Sequence, residues 1–285
     1  MNAVISSPPD VPRKVISALE KLPPFSPVVR QVLASLACDE NKISLPAIGA
    51  QIEQDPLIAG RVLGIANSAM YSRGIEITSI RQAAARLGLT RLRNAVLSLS
   101  VNRIWGSLRA PAFFSMARFN LHSLAAATAT EVISRQVSPA TTDHAFVAGL
   151  FHDIGQLLML HSFPDDYGAM LDSTPLQGLE FEEFERTKFG ITHAEVSAAV
   201  TAHWNLPEAV RTAVRFHEGP PAGDNRSLSQ IVHAGDQYSD ICGYSVIDYS
   251  WPEDQIPETL LPLGVREDQI RPPFLQELSV LRAAA

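Results

Sequence analysis

The chain has 285 residues, of which 46% are apolar and 19% are charged. This composition supports a hydrophobic core and excludes a mainly disordered chain. Apolar runs end before the roughly 18 residues that a membrane span needs, and the start of the chain lacks the apolar stretch of a secretory signal. Cys38 and Cys242 lie far apart without a CxxC pair, which excludes a zinc ribbon and fits a reducing compartment. We therefore expect a cytoplasmic protein without membrane contact.

The net charge of −7 hides an uneven distribution. The segment 61–118 holds nine arginines and one acid, Glu76, so it carries +8 and leaves −15 for the rest. Arginine suits bidentate contacts with oxyanions, so this segment is a candidate surface for an anion or an acidic partner. The alternative is that these arginines lie on solvated faces and at helix ends. The candidate surface residues are Arg81, Arg86, Arg91 and Arg93.

Helical signals follow one another along the chain. Ser44 is placed to cap a short helix, and Asp55-Pro56 combines an N-cap oxygen with a first-turn proline. Ser79 and Gln82 have the spacing of a capping box, and Gly88 is placed to end that helix. The predicted helices cover 13–21, 28–37, 115–136 and 227–242, and others start at Asp143, Pro164, Thr192 and Pro207.

The fold class that these elements predict is all-α, because no convincing alternating strand and no repeat of 20–50 residues is found. We expect two helical parts with a seam near residue 110: an N-terminal subdomain over 13–110 and a helical bundle over 111–245. The Pro-rich tail over 246–285 is predicted to wrap around the core.

Histidines and aspartates in the second part form a candidate metal site. His152 and Asp153 are adjacent, and neighbours on a helix point about 100° apart, so other helices must supply further ligands. His122 and Asp236 are the candidates. Two imidazoles and two carboxylates would suit Fe, Mn or Zn, and such an ion could activate water and hold a phosphate oxygen. His193 and His217 could extend the site to a second metal, whereas the alternative for each histidine is a surface or hydrogen-bonded core role.

The order of these residues resembles the HD superfamily: a histidine, an adjacent His-Asp pair, and a distant aspartate. His122, His152, Asp153 and Asp236 match it in that order. More specifically, the stretch from about 22 to 242 resembles the HDOD family of bacterial signalling proteins. The matching runs are Leu22-Pro23-Pro24, Asp55-Pro56-Leu57, Ile65 to Tyr71, Ser79 to Ala83, Leu87-Gly88, Leu92-Arg93-Asn94, Leu121-His122-Ser123, Gly149 to Gly155, His193 to Val196 and Trp204 to Glu208.

This resemblance implies an HD-like second half and a regulatory role in bacterial signal transduction, usually without catalysis. Related HD-GYP phosphodiesterases carry a lysine after the His-Asp-Ile-Gly run, where this chain has the neutral Gln156. They also have a His-His-Glu run, where this chain has Phe216-His217-Glu218, and the Tyr of their Gly-Tyr-Pro loop is missing. Losing one preorganised charge contact often costs about 10²–10³ in rate.

Three hypotheses follow. The first is a non-catalytic signalling module that acts on signalling proteins in trans. The second is a metal-dependent HD-type phosphohydrolase or cyclic-dinucleotide phosphodiesterase, with Fe, Mn, Zn or Mg and a nucleotide or phosphate ligand. The third is a nucleic-acid binder, because the run Gln82 to Arg91 resembles a helix-turn-helix motif. For that run we favour two packed helices joined by a turn, and we do not expect DNA binding.

Overall fold

Helices make up the regular structure of the part of the chain that the computed structural model describes, which confirms the all-α prediction. The described residues are 13–22, 25–37, 44–72, 74–105, 114–138, 141–173, 178–221, 223, 226–246, 258 and 260–284. The helices are α1 (Arg13–Glu20), α2 (Pro27–Ala34), α3 (Leu45–Glu53), α4 (Pro56–Asn67), α5 (Ile80–Trp105), α6 (Met116–Val137), α7 (Thr142–Phe151), α8 (Ile154–Ser162), α9 (Pro164–Ser173), α10 (Gly178–Phe189), α11 (His193–His203), α12 (Glu208–Arg215), α13 (Leu228–Ser239) and α14 (Glu267–Ala284).

Local capping signals account for several of these helix starts. Ser44 Oγ accepts from the backbone N–H of Ala47, and Asp55 Oδ1 accepts from the backbone N–H groups of Leu57 and Ile58. Thr192 and Glu195 form a complete capping box at α11. Each bond satisfies an N–H group that a helix start would otherwise leave unpaired. These starts therefore follow from short-range chemistry alone.

Helix α5 changes direction at Gly88, where φ is +77°, in the left-handed region that favours glycine. This confirms the prediction that the helix starting after Ser79 ends at Gly88. The capping box predicted before it is incomplete. Ser79 Oγ accepts from the N–H of Gln82, but Gln82 Oε1 accepts from Thr78 instead of Ser79.

Helices α2 to α5 pack against one another, whereas α1 packs on α8 and α11 of the predicted second part. Lys14 on α1 lies 5.4 Å from the ring centroid of Phe163. Beyond α1, the ring of Phe25 lies 4.3 Å from that of Trp204, and both rings contact Phe151. Residues that precede α2 in the sequence thus contact the second part. The predicted division at residue 110 stays a prediction.

Helix α6 is central, because α7, α13 and α14 pack on it. Glycines permit the closest approaches. A Cβ on Gly149 would lie 2.8 Å from Ala127 Cα, and one on Gly235 would lie 2.7 Å from the backbone nitrogen of Thr130. A side chain at Gly149 would thus keep α6 and α7 apart.

The predicted Pro-rich tail contains the 18-residue helix α14, with Pro272 and Pro273 inside it. α14 packs on α4, α5 and α6. Arg135 of α6 donates twice to the carboxylate of Glu277, at 2.8 Å each. No described helix is both long and apolar enough to span a membrane. Several predictions concern residues outside the described ranges: the seam near 110, Pro23, Pro24, Cys38, and two of the nine arginines of the segment 61–118, Arg73 and Arg109.

Two buried polar contacts join α5 to α6 and α7. Asn94 Nδ2 donates to Glu131 Oε2 of α6 at 2.7 Å. Arg93, only 2% exposed, pairs with Asp143 of α7. Thr90 Oγ1 also donates to the same carboxylate at 3.1 Å. Because buried polar groups are costly unless paired, these contacts fix how α5 lies against both helices.

Replacing Glu131 with Gln should stabilise the protein increasingly as pH rises. Burial raises the pKa of Glu131 from 4.5 to about 7; Arg135 opposes this and Glu277 adds to it. The folded state then binds more protons than the unfolded state between these values, so wild-type stability falls over that range by about 3 kcal/mol. The glutamine side chain keeps an acceptor for Asn94 without this penalty.

Thermal unfolding at pH 4 to 8 checks this. The Tm of Glu131→Gln should match wild type at pH 4 and exceed it by about 5–10 °C at pH 8. The control, Glu53→Gln at an exposed site of α3, should track wild type throughout. Parallel Tm curves for wild type and Glu131→Gln would contradict the prediction.

Candidate metal centre

Six side chains that the sequence singles out meet in the interior between α6, α7, α11 and α13. The four imidazoles among them are at most 2% exposed. The six are His122 on α6, His152 and Asp153 at the corner between α7 and α8, His193 at the start of α11, His217 after α12, and Asp236 on α13.

The first half of the cluster gathers the four residues of the HD pattern. His122 Nε2 lies 3.2 Å from His152 Nε2. Asp236 Oδ1 lies 3.2 Å from the first nitrogen and 3.1 Å from the second. Asp153 Oδ2 lies 3.5 Å from each. Ligands about 2.1 Å from one ion stand about 3.0–3.4 Å apart in octahedral or tetrahedral geometry, so these spacings fit a single cation.

The second half is built on the other oxygen of Asp153. Its Oδ1 lies 3.4 Å from His193 Nε2 and 3.4 Å from His217 Nε2, and these nitrogens are 3.4 Å apart. Glu218 Oε1 lies 3.6 Å from His193 Nε2. The carboxylate of Asp153 therefore faces two histidine pairs, one with each oxygen.

The outer nitrogen of every imidazole is held by an acceptor. His152 Nδ1 donates to the carbonyl of Gly149 at 2.8 Å, and His122 Nδ1 to that of Tyr244 at 3.1 Å. His217 Nδ1 donates to the carbonyl of Val214, and His193 Nδ1 to the carboxylate of Glu185, both at 2.8 Å. Carbonyl and carboxylate oxygens accept here, so Nδ1 carries a proton, and each imidazole in its neutral form directs the lone pair of Nε2 inward. Metal-binding histidines show this arrangement.

The donor set fits a metal on physical grounds. Two nitrogen lone pairs that face one another at 3.2 Å repel unless a cation or a proton lies between them. Five carboxylates also lie in or against the cluster. They are Asp153, Asp236, Asp240, Glu218 and Glu185. Imidazole nitrogen with carboxylate oxygen suits divalent transition ions.

The pKa shifts reflect the same crowding. Burial lowers the pKa of His122, but the carboxylates of Asp153 and Asp236 outweigh it and raise that pKa well above its usual value. Burial raises the pKa of Glu218 to about 7, against the effect of the nearby histidines. Burial also raises the pKa of Asp240. A divalent cation would relieve this accumulation of charge.

Three residues of the site were missed by the sequence reasoning. Asp240 follows Asp236 by one helical turn, and its Oδ1 lies 3.2 Å from His122 Nδ1, so the i, i+4 spacing could have indicated it. Glu218 is adjacent to His217 and could have been found from that pair. Glu185 lies eight residues before His193 on another helix, and no local pattern marks it.

Of the four arginines predicted to form an anion or partner surface, Arg93 is buried, which corrects the prediction for that residue. Arg93 is buried against Asp143, because its charge is neutralised inside the α5–α7 contact. Arg81 and Arg91 are exposed, and Arg91 lies 5.2 Å from the ring centroid of Tyr71. Arg86 is half-buried and donates to the carbonyl of Ala66 at 3.4 Å.

Together, the helices and the buried cluster define a helical protein with an HD-type arrangement of histidine and aspartate. Residues 22–220 match the HDOD domain. The chain therefore belongs to the HDOD domain family.

Solved structures share the fold. An HDOD domain protein of unknown function from Geobacter sulfurreducens superposes with a TM-score of 0.73 at 22% identity, covering 95% of each chain. A protein from Shewanella amazonensis SB2B, provisionally named a phosphohydrolase, gives 0.68 at 20% identity and covers 95% of each chain. A provisionally named signal transduction protein from Marinobacter aquaeolei VT8 gives 0.69 at 18% identity, covering 95% of this chain and 64% of that one.

Among curated sequences, an uncharacterized protein of Treponema pallidum (strain Nichols) is 25% identical over 236 residues. The match covers 79% of this chain and 43% of that protein. This chain therefore corresponds to less than half of that relative.

Proposed function

We propose that this chain is a signal-transduction protein that binds divalent metal in the His/Asp cluster and acts through contacts with other proteins. The observation that carries the metal assignment is the convergence of four imidazole lone pairs on the two oxygens of Asp153. Its family membership supports the signalling role.

The metal would be held in two adjacent positions. His122, His152, Asp236 and Asp153 Oδ2 would hold one ion, and His193, His217 and Asp153 Oδ1 the other. Mixed nitrogen and oxygen ligands favour Fe, Mn or Zn over Mg. A bound ion of this kind polarises a phosphate oxygen and lowers the pKa of bound water. The protein's part is to hold the imidazoles in one tautomer and to keep the cluster away from bulk water.

Limited access to the cluster supports a role without turnover. The imidazoles are at most 2% exposed, and the side chains of Asp236 and Glu218 are each only 14% exposed. Phe216 stands where the phosphodiesterase run has a histidine, and its ring is 37% exposed beneath Arg215. Gln156 offers no positive charge to a phosphate.

Coupling between the cluster and the N-terminal helices supports a role in signalling. Asn94 joins α5 to α6, which carries His122, and Arg93 joins α5 to α7, which ends one residue before His152. A change in how α5 lies would thus reach both ligand-bearing helices through buried contacts. Signalling proteins that bind the N-terminal helices in trans are the partners that this arrangement suits.

A metal-dependent phosphohydrolase, including a cyclic-dinucleotide phosphodiesterase, is the second candidate. The observation that favours it is the position of Asp153 between two histidine pairs, because paired ions bridged by one carboxylate are common in phosphoester hydrolysis. In this candidate the ligand is a nucleotide or a phosphate ester.

Metal analysis and turnover assays separate the two candidates. Protein purified without chelator should contain divalent metal, and His152→Ala should lose it because one of the facing lone pairs is removed. With Mn, Fe or Mg added, wild type should hydrolyse cyclic dinucleotides and nucleotides no faster than His152→Ala does. Turnover that disappears in both His152→Ala and Asp153→Ala would establish the phosphohydrolase instead, and a chain that refuses added metal would refute both candidates.

A further inference from the structure

His193 differs from the other three cluster histidines in the group that holds its outer nitrogen. Those three donate to backbone carbonyls, whereas His193 donates to the carboxylate of Glu185. A carbonyl is sufficient to orient an imidazole. A carboxylate also places a negative charge 2.8 Å from Nδ1. Asp240 Oδ1 also lies 3.2 Å from His122 Nδ1, but the acceptor of that ring nitrogen is the carbonyl of Tyr244. What sets His193 apart among these four is that its acceptor is itself a carboxylate.

Glu185 is completely buried, and each of its oxygens has a defined partner. Oε2 accepts from both the backbone N–H and the Nδ1–H of His193, at 2.8 Å each. Oε1 accepts from the hydroxyl of Tyr167 at 2.6 Å, and Tyr167 is also completely buried. Two bonds to one residue fix both the backbone and the ring of His193.

This carboxylate is buried, and aromatic rings lie near both of its hydrogen-bond partners, which strengthens its effect on the imidazole. The ring of Phe181 lies 5.6 Å from that of His193, and the ring of Phe189 lies 5.6 Å from that of Tyr167. Charges interact more strongly where water is excluded. A buried carboxylate costs free energy, so its retention beside a ligand-type histidine calls for a role that a neutral acceptor would not fill.

We propose that Glu185 is a positioning residue that, with Tyr167, orients His193 and strengthens its Nε2 as a metal donor. The half of the cluster formed by His193, His217 and Asp153 Oδ1 then binds its ion more tightly than a carbonyl-held histidine would allow. This inference rests on the proposed function, namely that the cluster binds divalent metal. Removing such an outer partner typically weakens metal affinity about 10–100-fold.

Titration of the metal-stripped full chain with Co²⁺, followed by calorimetry and by visible absorption, tests the proposal. Wild type should bind two ions. Glu185→Gln keeps the size of the side chain but removes its charge, and it should weaken one binding event about 10–100-fold while leaving the other unchanged. The absorption bands of the weakened event should shift, because a fold defect alone does not change the donor strength of one imidazole.

Two further variants complete the design. Glu183→Gln alters an exposed carboxylate on the same helix and should match wild type. Glu185→Asp keeps the charge but withdraws it from His193, so it should weaken the same event; it also replaces Glu185→Gln if that chain does not fold. A folded Glu185 variant that binds both ions like wild type, or that weakens both events equally while its helical circular dichroism is unchanged, overturns the inference. A wild type that binds no Co²⁺ refutes the proposed function itself.

Discussion

An Asp153→Asn chain should bind no divalent metal, although every histidine of the cluster remains. Asp153 is the residue common to both halves: Oδ2 stands 3.5 Å from the nitrogens of His122 and His152, and Oδ1 stands 3.4 Å from those of His193 and His217. The variant removes one oxygen ligand and the negative charge. Its amide can also donate to an imidazole lone pair, which stabilises the metal-free arrangement.

The measurement is metal content after dialysis, together with Tm with and without added Mn²⁺. Metal at about 1,000 times its Kd adds about 4 kcal/mol to wild-type stability, and Asp153→Asn should lose this increment. Asp165→Asn, an exposed site on α9, should keep both the metal and the increment. If Asp153→Asn retained two ions, the prediction that this carboxylate serves both halves of the cluster would be wrong.

Replacing Gly155 with Ala should destabilise the fold strongly and disturb the second half of the cluster. A Cβ at Gly155 would overlap the carbonyl oxygen of His193 and lie 2.8 Å from the backbone nitrogen of Ser197. Both are backbone atoms of α11, so they cannot move aside without shifting that helix. The N–H of Gly155 also donates to Ser197 Oγ at 2.7 Å, so any shift strains this bond. We expect a loss of about 3 kcal/mol.

Urea unfolding gives the free energy, and Gly60→Ala is the matched control. A Cβ at Gly60 would meet nothing within 4 Å on the exposed side of α4, so alanine there should add up to about 1 kcal/mol through helix propensity. If the two glycine-to-alanine changes alter the free energy of unfolding in opposite directions, the effect of close packing is separated from that of helix propensity. A Gly155→Ala chain as stable as wild type would contradict the packing described for α8 and α11.

Short-range chemistry explains which features the sequence could predict. Asp55 and Thr192 cap their helices with groups two or three residues away, so these helix starts can be read locally. Four residues of the cluster were predictable because the order His122, His152-Asp153 and Asp236 resembles a known family pattern, whereas His193 and His217 were only a possible extension. Spacing alone left open whether those helices meet.

Long-range pairing explains the rest. Arg93 pairs with Asp143, which lies 50 positions further along the chain, and no local pattern predicts such a pair. The sequence therefore placed Arg93 on a basic surface, although it is buried. Glu185 reaches His193 only because α10 and α11 turn back on each other. The helix within the Pro-rich tail was also missed, since Pro272 and Pro273 are unfavourable inside a helix.

The early attachment of α1 to α8 and α11 changes how the chain's architecture is understood. α1 packs on α8 and α11, and the ring of Phe25 contacts Trp204 after α11. Helices α2 to α5 are therefore inserted in the sequence between α1 and the later helices on which α1 packs. At the other end of this run, Asn94 and Arg93 join α5 to α6 and α7, so both ends of α2 to α5 contact the later helices. A fragment that begins at the His122 helix would lack α1 and its contacts with α8 and α11. The helices that pack together here are therefore discontinuous in sequence.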